Sequence, residues 1–217
     1  MKGPNGSEIT PETLLRAYAA GIFPMAESRD DRTIHWVDPR LRGVFALNNF
    51  HISRSLKRAI VKNSCTIRTN TAFSDVVEAC ADRSETWISD PIKGLYQSLH
   101  HAGFAQSLEV WRDDALIGGV YGVSLGAAFF GESMFSRETD ASKIALAYLT
   151  DRLRVGGYRL FDTQFLTPHL QSLGAVEIPR AEYHRQLTAA LHRSASFDPE
   201  GYSVTAAGVL QRSTQTS

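Results

Sequence analysis

A chain of 217 residues, 43% hydrophobic and 21% charged, suits one large domain or a small domain packed on a larger one, with the balance of an ordinary soluble globular protein. No apolar run approaches bilayer length and no signal-peptide pattern opens the chain; Cys65 and Cys80 form no C-x-x-C pair, which argues against a disulfide framework and fits a reducing cytoplasm. The histidines include no H-E-x-x-H and no Cys/His cluster at zinc spacing, so no metal is expected.

The first predicted helix is "TPETLLRAYAAG", with Thr10 as N-cap, Pro11 in the first turn and Gly21 beyond its end. Trp36, in "HWVDP", has no helix or strand periodicity around it and is expected on or beside a loop. Between Pro39 and Ser74 there is no Asp or Glu, but there are seven cations: Arg40, Arg42, Arg54, Lys57, Arg58, Lys62 and Arg68. The formal net charge of +0 hides this block, and one-sign blocks suggest a polyanionic partner. The block contains a short helix, "SRSLKRAIVK", in which Ile52, Leu56 and Ile60 recur every fourth residue as a buried stripe. Arg54, Arg58 and Lys62 recur two positions out of step, about 200° around the helix, and form an exposed stripe. A solvated face usually carries both signs. This one carries only positive charge, so phosphate-backbone binding stands beside plain solvation as a reading.

From about Ala72 the pattern gives a helix, then a second helix in "DPIKGLYQSLHHAG", started at Asp90-Pro91 and stopped at Gly103. Trp87, in "TWISDP", precedes it on a loop. Three antiparallel strands follow, "FAQSLEVWR", "LIGGVYGVSLG" and "AAFFGESMFS", the first two joined across Asp113-Asp114. Next come the helix "DASKIALAYLTDRLRVGG" from Asp140, the strand "RLFDTQ", the helix "TPHLQSLG" from Thr167, the strand "AVEIP" and the helix "AEYHRQLTAALH". The order specifies an α+β (α/β layered) fold around a mixed, largely antiparallel sheet. Beyond about Ser194 the chain turns Ser/Thr/Gly-rich, and roughly the last eight residues are expected to fray.

Three features carry candidate chemistry. Glu132 is the one carboxylate in an apolar strand, where a charge is costly unless paired or hydrogen-bonded. It is either a satisfied or edge-exposed structural acid, or the wall of a polar-binding cleft. Asp162 and Gln164 lie two apart, on one face of an extended strand, at the carboxyl end where ligand sites gather in open sheets. A structural pair would look the same. Trp36 and Trp87 are lids on the core or, beside a basic patch, faces for a nucleobase. Trp111 reads as a strand residue packing on a neighbour.

The stretches "AYAAGIFPM", "FHISRSLKR", "TWISDPIKGLYQSLH", "SLEVWRDDALIGGVYGVSLG", "FFGESMFSRETDASKIAL", "LFDTQF" and "LGAVEIPRAEY" occur in this order. Together, from about Thr10 to Tyr183, they closely resemble the leucyl/phenylalanyl-tRNA–protein transferases of bacteria. The resemblance implies a cytoplasmic enzyme of the N-degron pathway. It would move leucine or phenylalanine from the 3′ end of Leu-tRNA or Phe-tRNA to proteins or peptides with N-terminal Arg or Lys. It also implies a small N-terminal domain (1–48) and a GNAT-like acyltransferase domain (49–217) without coenzyme A. By matching position, Trp36 and Trp87 would hold the terminal adenosine, Glu132 would belong to the aminoacyl pocket, and Asp162 and Gln164 would be the catalytic pair. Three departures stand out: "WVDPRLRG" in place of a "WWSP" type of motif, Val120 where some members place a methionine, and Thr167 where some relatives carry an asparagine.

Within that frame the donor ester is already activated, so no cofactor, ATP or metal is needed. A glutamine amide is too weak a base to hold a proton. Gln164 is therefore expected to orient the attacking N–H, with Asp162 polarising its amide, while the final proton acceptor stays open. Val120, Phe129, Leu146 and Leu149 are candidate pocket walls and equally candidate core residues. Arg54, Lys57, Arg58 and Lys62 would take the acceptor stem through its phosphates, with no membrane partner and a monomeric enzyme. One rival is an acyl-CoA N-acetyltransferase, against which the glycine-free turn "SRETDASK" counts. The other is a non-catalytic RNA-binding module, which leaves Glu132 and the Asp162–Gln164 pair without a role.

Overall fold

The computed structural model describes residues 9–26, 28–29, 33–62, 65–202 and 204–214. Helix α1 (Pro11–Ala19) begins where Thr10 Oγ1 accepts the Thr13 N–H at 3.2 Å. Gly21, at φ +78, then turns the chain into β1 (Phe23–Met25). That strand pairs antiparallel with β2 (His35–Val37) in a separate two-stranded sheet, Pro24 opposite Trp36. Trp36 therefore stands in a short strand rather than a loop. Its signal was missed because three residues are too few to show alternation.

The remaining elements are β3 (Leu41–Phe45), α2 (Arg54–Lys62), β4 (Thr66–Thr69), α3 (Phe73–Ala81), α4 (Asp90–His101), β5 (Ala105–Arg112), β6 (Ala115–Leu125), β7 (Ala128–Ser136), α5 (Ala141–Val155), β8 (Leu160–Gln164), α6 (Pro168–Ser172), β9 (Ala175–Pro179), α7 (Arg180–Leu191) and α8 (Ala206–Thr214). Asp113 and Asp114 sit at φ 46 and 63, the left-handed pair that a tight β5–β6 hairpin requires. Ser89, one residue earlier than expected, is the N-cap of α4. Where frayed chain was expected, α8 forms. Asp151 of α5 accepts from the Arg212 guanidinium of α8 at 2.7 Å and from the Tyr202 hydroxyl at 2.8 Å. Residues 215–217 lie outside the described residues.

The main sheet has seven strands in the order β4-β5-β6-β7-β8-β3-β9. All neighbours are antiparallel except β7 and β8, which α5 links as a parallel crossover. The expected mixed sheet is therefore present. Strand β3 enters it from far upstream and separates β8 from β9.

Consecutive residues feed opposite faces: Val44, Phe130 and Leu160 pack with α1, α3, α4 and α7, whereas Phe45, Phe129 and Phe161 pack with α2, α5, α6 and α8. The molecule is thus helix, sheet, helix. The α3 end is capped from outside: buried Glu109 of β5 accepts the Thr71 and Ala72 N–H groups, each at 2.9 Å. Both cysteines are free. Among the described residues no helix is long and apolar enough to cross a membrane.

Candidate active site

Two strand irregularities build the site. Along β6–β7, Gly122 faces Gly131 and Tyr121 faces Ser133, so Glu132 is an extra residue without a partner across the ladder. Along β3–β8, Val44 faces Asp162 and Gly43 faces Gln164, so Thr163 is extra in the same way. A bulge bends its strand and re-aims side chains. The β7–β8 ladder runs only from Ala128↔Leu160 to Phe130↔Asp162. Beyond it the two bulged strands part, and a cavity of about 280 Å³ opens between them.

The cavity wall is apolar over Phe23, Val120, Met134, Leu146, Phe161 and Leu170, with Trp87 and Phe165 also on it. Its polar groups are Arg83, Glu132, Ser133, Thr163, Gln164 and Thr167. Of the predicted walls, Val120 and Leu146 take part. Phe129 and Leu149 do not; they are 1% and 0% exposed in the core beneath, where Phe129 stacks on Phe197. Strand alternation sends Phe129 away from the Glu132 side. Trp87 lines the cavity, whereas Trp36 packs against the neighbouring core behind β1. The structure thus places one of the two tryptophans on the wall.

Glu132 is half-buried, and its carboxylate is held by two buried phenols. Tyr18 donates to Oε1 at 2.7 Å and Tyr96 to Oε2 at 2.6 Å, while the two hydroxyls lie 2.8 Å apart. Removal from water pushes the carboxyl up to about 7, against the lowering effect of the Tyr96 and Tyr18 hydrogen bonds. Sequence reasoning missed both tyrosines, because α1 and α4 meet β7 only in three dimensions.

Asp162 is fully buried and absent from the cavity wall. Arg42 grips it with Nε on Oδ1 at 2.9 Å and Nη2 on Oδ2 at 2.7 Å; Tyr183 donates to Oδ2 at 2.8 Å. The fourth donor is the Gln164 backbone N–H, 2.8 Å from Oδ1. Asp162 therefore holds the backbone of Gln164, not its side-chain amide. Gln164 has φ 59, so the chain turns left-handed there and strand alternation no longer relates the two side chains. A left-handed non-glycine residue costs roughly 1–2 kcal/mol, and the Asp162 bond offsets that cost. Gly43 gives the turn its room: a Cβ there would stand 2.6 Å from the Phe165 carbonyl carbon.

Arg42 corrects the reading of the basic block as one patch. It is 1% exposed, between the Phe23 and Tyr183 rings at 4.4 and 4.3 Å. Arg68 lies over Trp111 at 4.8 Å. By contrast Arg54, Lys57, Arg58 and Lys62 are exposed on α2, whose Leu56 and Ile60 are buried. Among the described residues these four enter no ion pair, and no group of three or more His, Cys, Asp and Glu side chains could hold a metal.

Two residues that line the cavity each carry a buried polar atom with no hydrogen-bond partner in the protein, Thr163 Oγ1 and Gln164 Nε2. Such atoms cost free energy until a ligand satisfies them. The carboxylate of Glu132 lies on the same wall, so the cavity combines an apolar surface with polar groups that a bound substrate could satisfy. The sequence profile described as leucyl/phenylalanyl-tRNA protein transferase matches residues 44–188, and the profile of that transferase's N-terminal domain matches residues 7–40. A leucyl/phenylalanyl-tRNA–protein transferase of Cereibacter sphaeroides is 66% identical over 209 residues, 96% of this chain and 98% of the relative. One from Ruegeria pomeroyi is 60% identical over 209 residues, 96% of this chain and 99% of the relative. The chain belongs to the leucyl/phenylalanyl-tRNA–protein transferase family.

Proposed function

We propose that the protein is an aminoacyltransferase that moves leucine or phenylalanine from the 3′ end of aminoacyl-tRNA to the N-terminal Arg or Lys of a protein. The observation that carries this reading is that Thr163 and Gln164, each with a buried polar atom lacking a protein partner (Oγ1 and Nε2), line the same cavity as Glu132. The apolar side chain of leucine or phenylalanine would meet the Phe23, Val120, Met134 and Leu146 surface. Such a surface separates neighbouring apolar side chains by only about 1–3 kcal/mol per methylene.

In the reaction the acceptor amine nitrogen bonds to the ester carbonyl carbon, the bond to the ribose oxygen breaks, and the proton lost by the amine balances the one gained by the ribose. Gln164 Nε2 is a donor in want of an acceptor, which suits the carbonyl oxygen as it becomes an oxyanion. Glu132, poised near 7, suits an ammonium group: it binds one when ionised and accepts its proton at little cost. Asp162 acts through Gln164 and is a positioning residue in this scheme. Trp87 offers a stacking face for the terminal adenine, with Trp36 supporting β1 behind it. The exposed cations of α2 would meet acceptor-stem phosphates. The separate matches over 7–40 and 44–188, with β3 already part of the main sheet, support a small N-terminal domain that ends near residue 40, earlier than the expected 48, ahead of a catalytic one. The enzyme would act as a monomer in the cytoplasm.

The test is to incubate the purified protein with labelled Phe-tRNA or Leu-tRNA and a peptide beginning with Arg, beside an Ala-initiated control. Transfer to the Arg peptide alone is expected. Binding of tRNA without transfer to either peptide would replace this reading with an RNA-binding module.

A further inference from the structure

A second recess, of about 460 Å³, adjoins the aminoacyl cavity, and Arg83 and Met134 line both. Its other polar lining is Arg137, Ser136, Ser142 and His169, with one opposing carboxylate, Asp82. We propose that this recess binds the phosphate linking the terminal adenosine of the donor RNA to the nucleotide before it.

The chemistry of the lining supports a phosphate. Two guanidinium groups outnumber the single carboxylate, and both are held in place. Arg83 donates to the Met134 carbonyl oxygen. Arg137 spends one N–H on the Leu116 carbonyl oxygen at 3.1 Å and lies over the Phe135 ring at 5.5 Å. An anchored guanidinium loses less freedom on binding, and its planar fork matches phosphate oxygens. His169 Nε2 is out of solvent and without a protein partner. Desolvation, helped by nearby Lys143, holds that imidazole below its usual value, so near neutrality it presents one N–H and no charge. Asp140 does not cap α5 with its side chain. It binds Lys143 at 2.8 Å instead, while Ser136 Oγ accepts the Ser142 N–H at 3.2 Å. The recess thus combines charge, hydroxyls and an unsatisfied ring nitrogen.

Placement is the second argument. With an aminoacyl-adenosine between Glu132, Trp87 and Gln164, the RNA strand must leave the cavity past a group that tolerates its charge. Arg83 stands on the wall shared with the recess. The Asp140–Lys143 pair and the Arg112–Glu138 pair hold the neighbouring charges in neutral combinations. Of the charges that line the recess itself, Arg83, Arg137 and Asp82, the balance is therefore positive.

The inference rests on the proposed identity of the donor, and its test separates the two. Transfer is measured from a phosphate-free aminoacyl-adenosine and from an aminoacylated CpCpA trinucleotide, with the wild type, Arg137→Gln and Arg137→Lys. The expected result is that Arg137→Gln raises KM about tenfold for the trinucleotide only, the loss of one charge-assisted contact. Arg137→Lys should recover part of it. An equal effect on both donors, or none on either, overturns the proposal. If the wild type used neither donor, the whole-tRNA assay above would still decide the transferase reading. Affinities for uncharged CpCpA and adenosine, read by tryptophan fluorescence, would then decide the recess independently. A tenfold loss confined to CpCpA supports it, and equal affinities across the variants overturn it.

Discussion

Two carboxylates, Asp162 buried and Glu132 half-buried, stand on neighbouring strands of the same sheet and have opposite fates. Asp162 on β8 receives four donors from Arg42, Tyr183 and the Gln164 backbone, and turns its back on the cavity. Glu132 on β7 receives two phenols, keeps a face on the cavity and is pushed up to about 7. A saturated acid fixes geometry; an undersatisfied one is available for chemistry. Composition cannot tell the two apart, because both are single acids in apolar strands. The difference lies in what tertiary packing delivers to each.

The largest effect should come from breaking the saturated side. Arg42→Ala leaves Asp162 buried without its cation, a loss of about 3–5 kcal/mol, which in a chain of this size lowers Tm by roughly 10 °C. Scanning calorimetry measures it. The double variant Arg42→Met with Asp162→Leu sharpens the comparison: stability should recover most of the way, whereas transfer should stay impaired because the Gln164 N–H has lost its acceptor.

The open side should respond in rate before stability. Glu132→Gln is expected to slow transfer about 100-fold at pH 8 with little change in tRNA affinity. In the wild type the carboxylate protonates as pH falls through about 7, so transfer should decline there, and Glu132→Gln should lack that limb. The stability sign is the reverse. A folded carboxyl raised from 4.5 to about 7 favours the fold most below 4.5 and loses that contribution as pH rises toward 7. The Tm of Glu132→Gln relative to wild type should therefore climb between pH 4.5 and 7, then level off. A constant difference would show that Glu132 is not held near 7.

The smallest effect lies away from both acids. Arg58→Ala on α2 should leave kcat unchanged and flatten the slope of log affinity against log salt by roughly one. Unchanged salt dependence would return the stripe to a merely solvated face.

Much of this was legible in the residues. The Thr10 and Thr167 caps, the Asp113-Asp114 hairpin and the buried Leu56 and Ile60 of α2 follow from local chemistry that acts within a few positions and formed as expected, whereas Ile52 lies before the helix and is half-buried. The order of elements after Ala72 was legible for the same reason. Strand β3 was not, because Arg42 and Gly43 interrupt its apolar pattern for reasons lying 120 residues away at Asp162. Nor was α8, whose stability depends on Asp151. A bulge adds a residue without altering composition, so the extra residues at Glu132 and Thr163 left no periodic signal.

The sequence by itself therefore determined the helices from α1 to α7, the hairpin and the presence of acids where acids are costly, since propensity, capping and burial operate residue by residue. Only the tertiary structure decided which acid would be neutralised and which left facing a cavity. That outcome depends on Arg42, Tyr18, Tyr96 and Tyr183 arriving from distant segments, and on two bulges that part the strands between them.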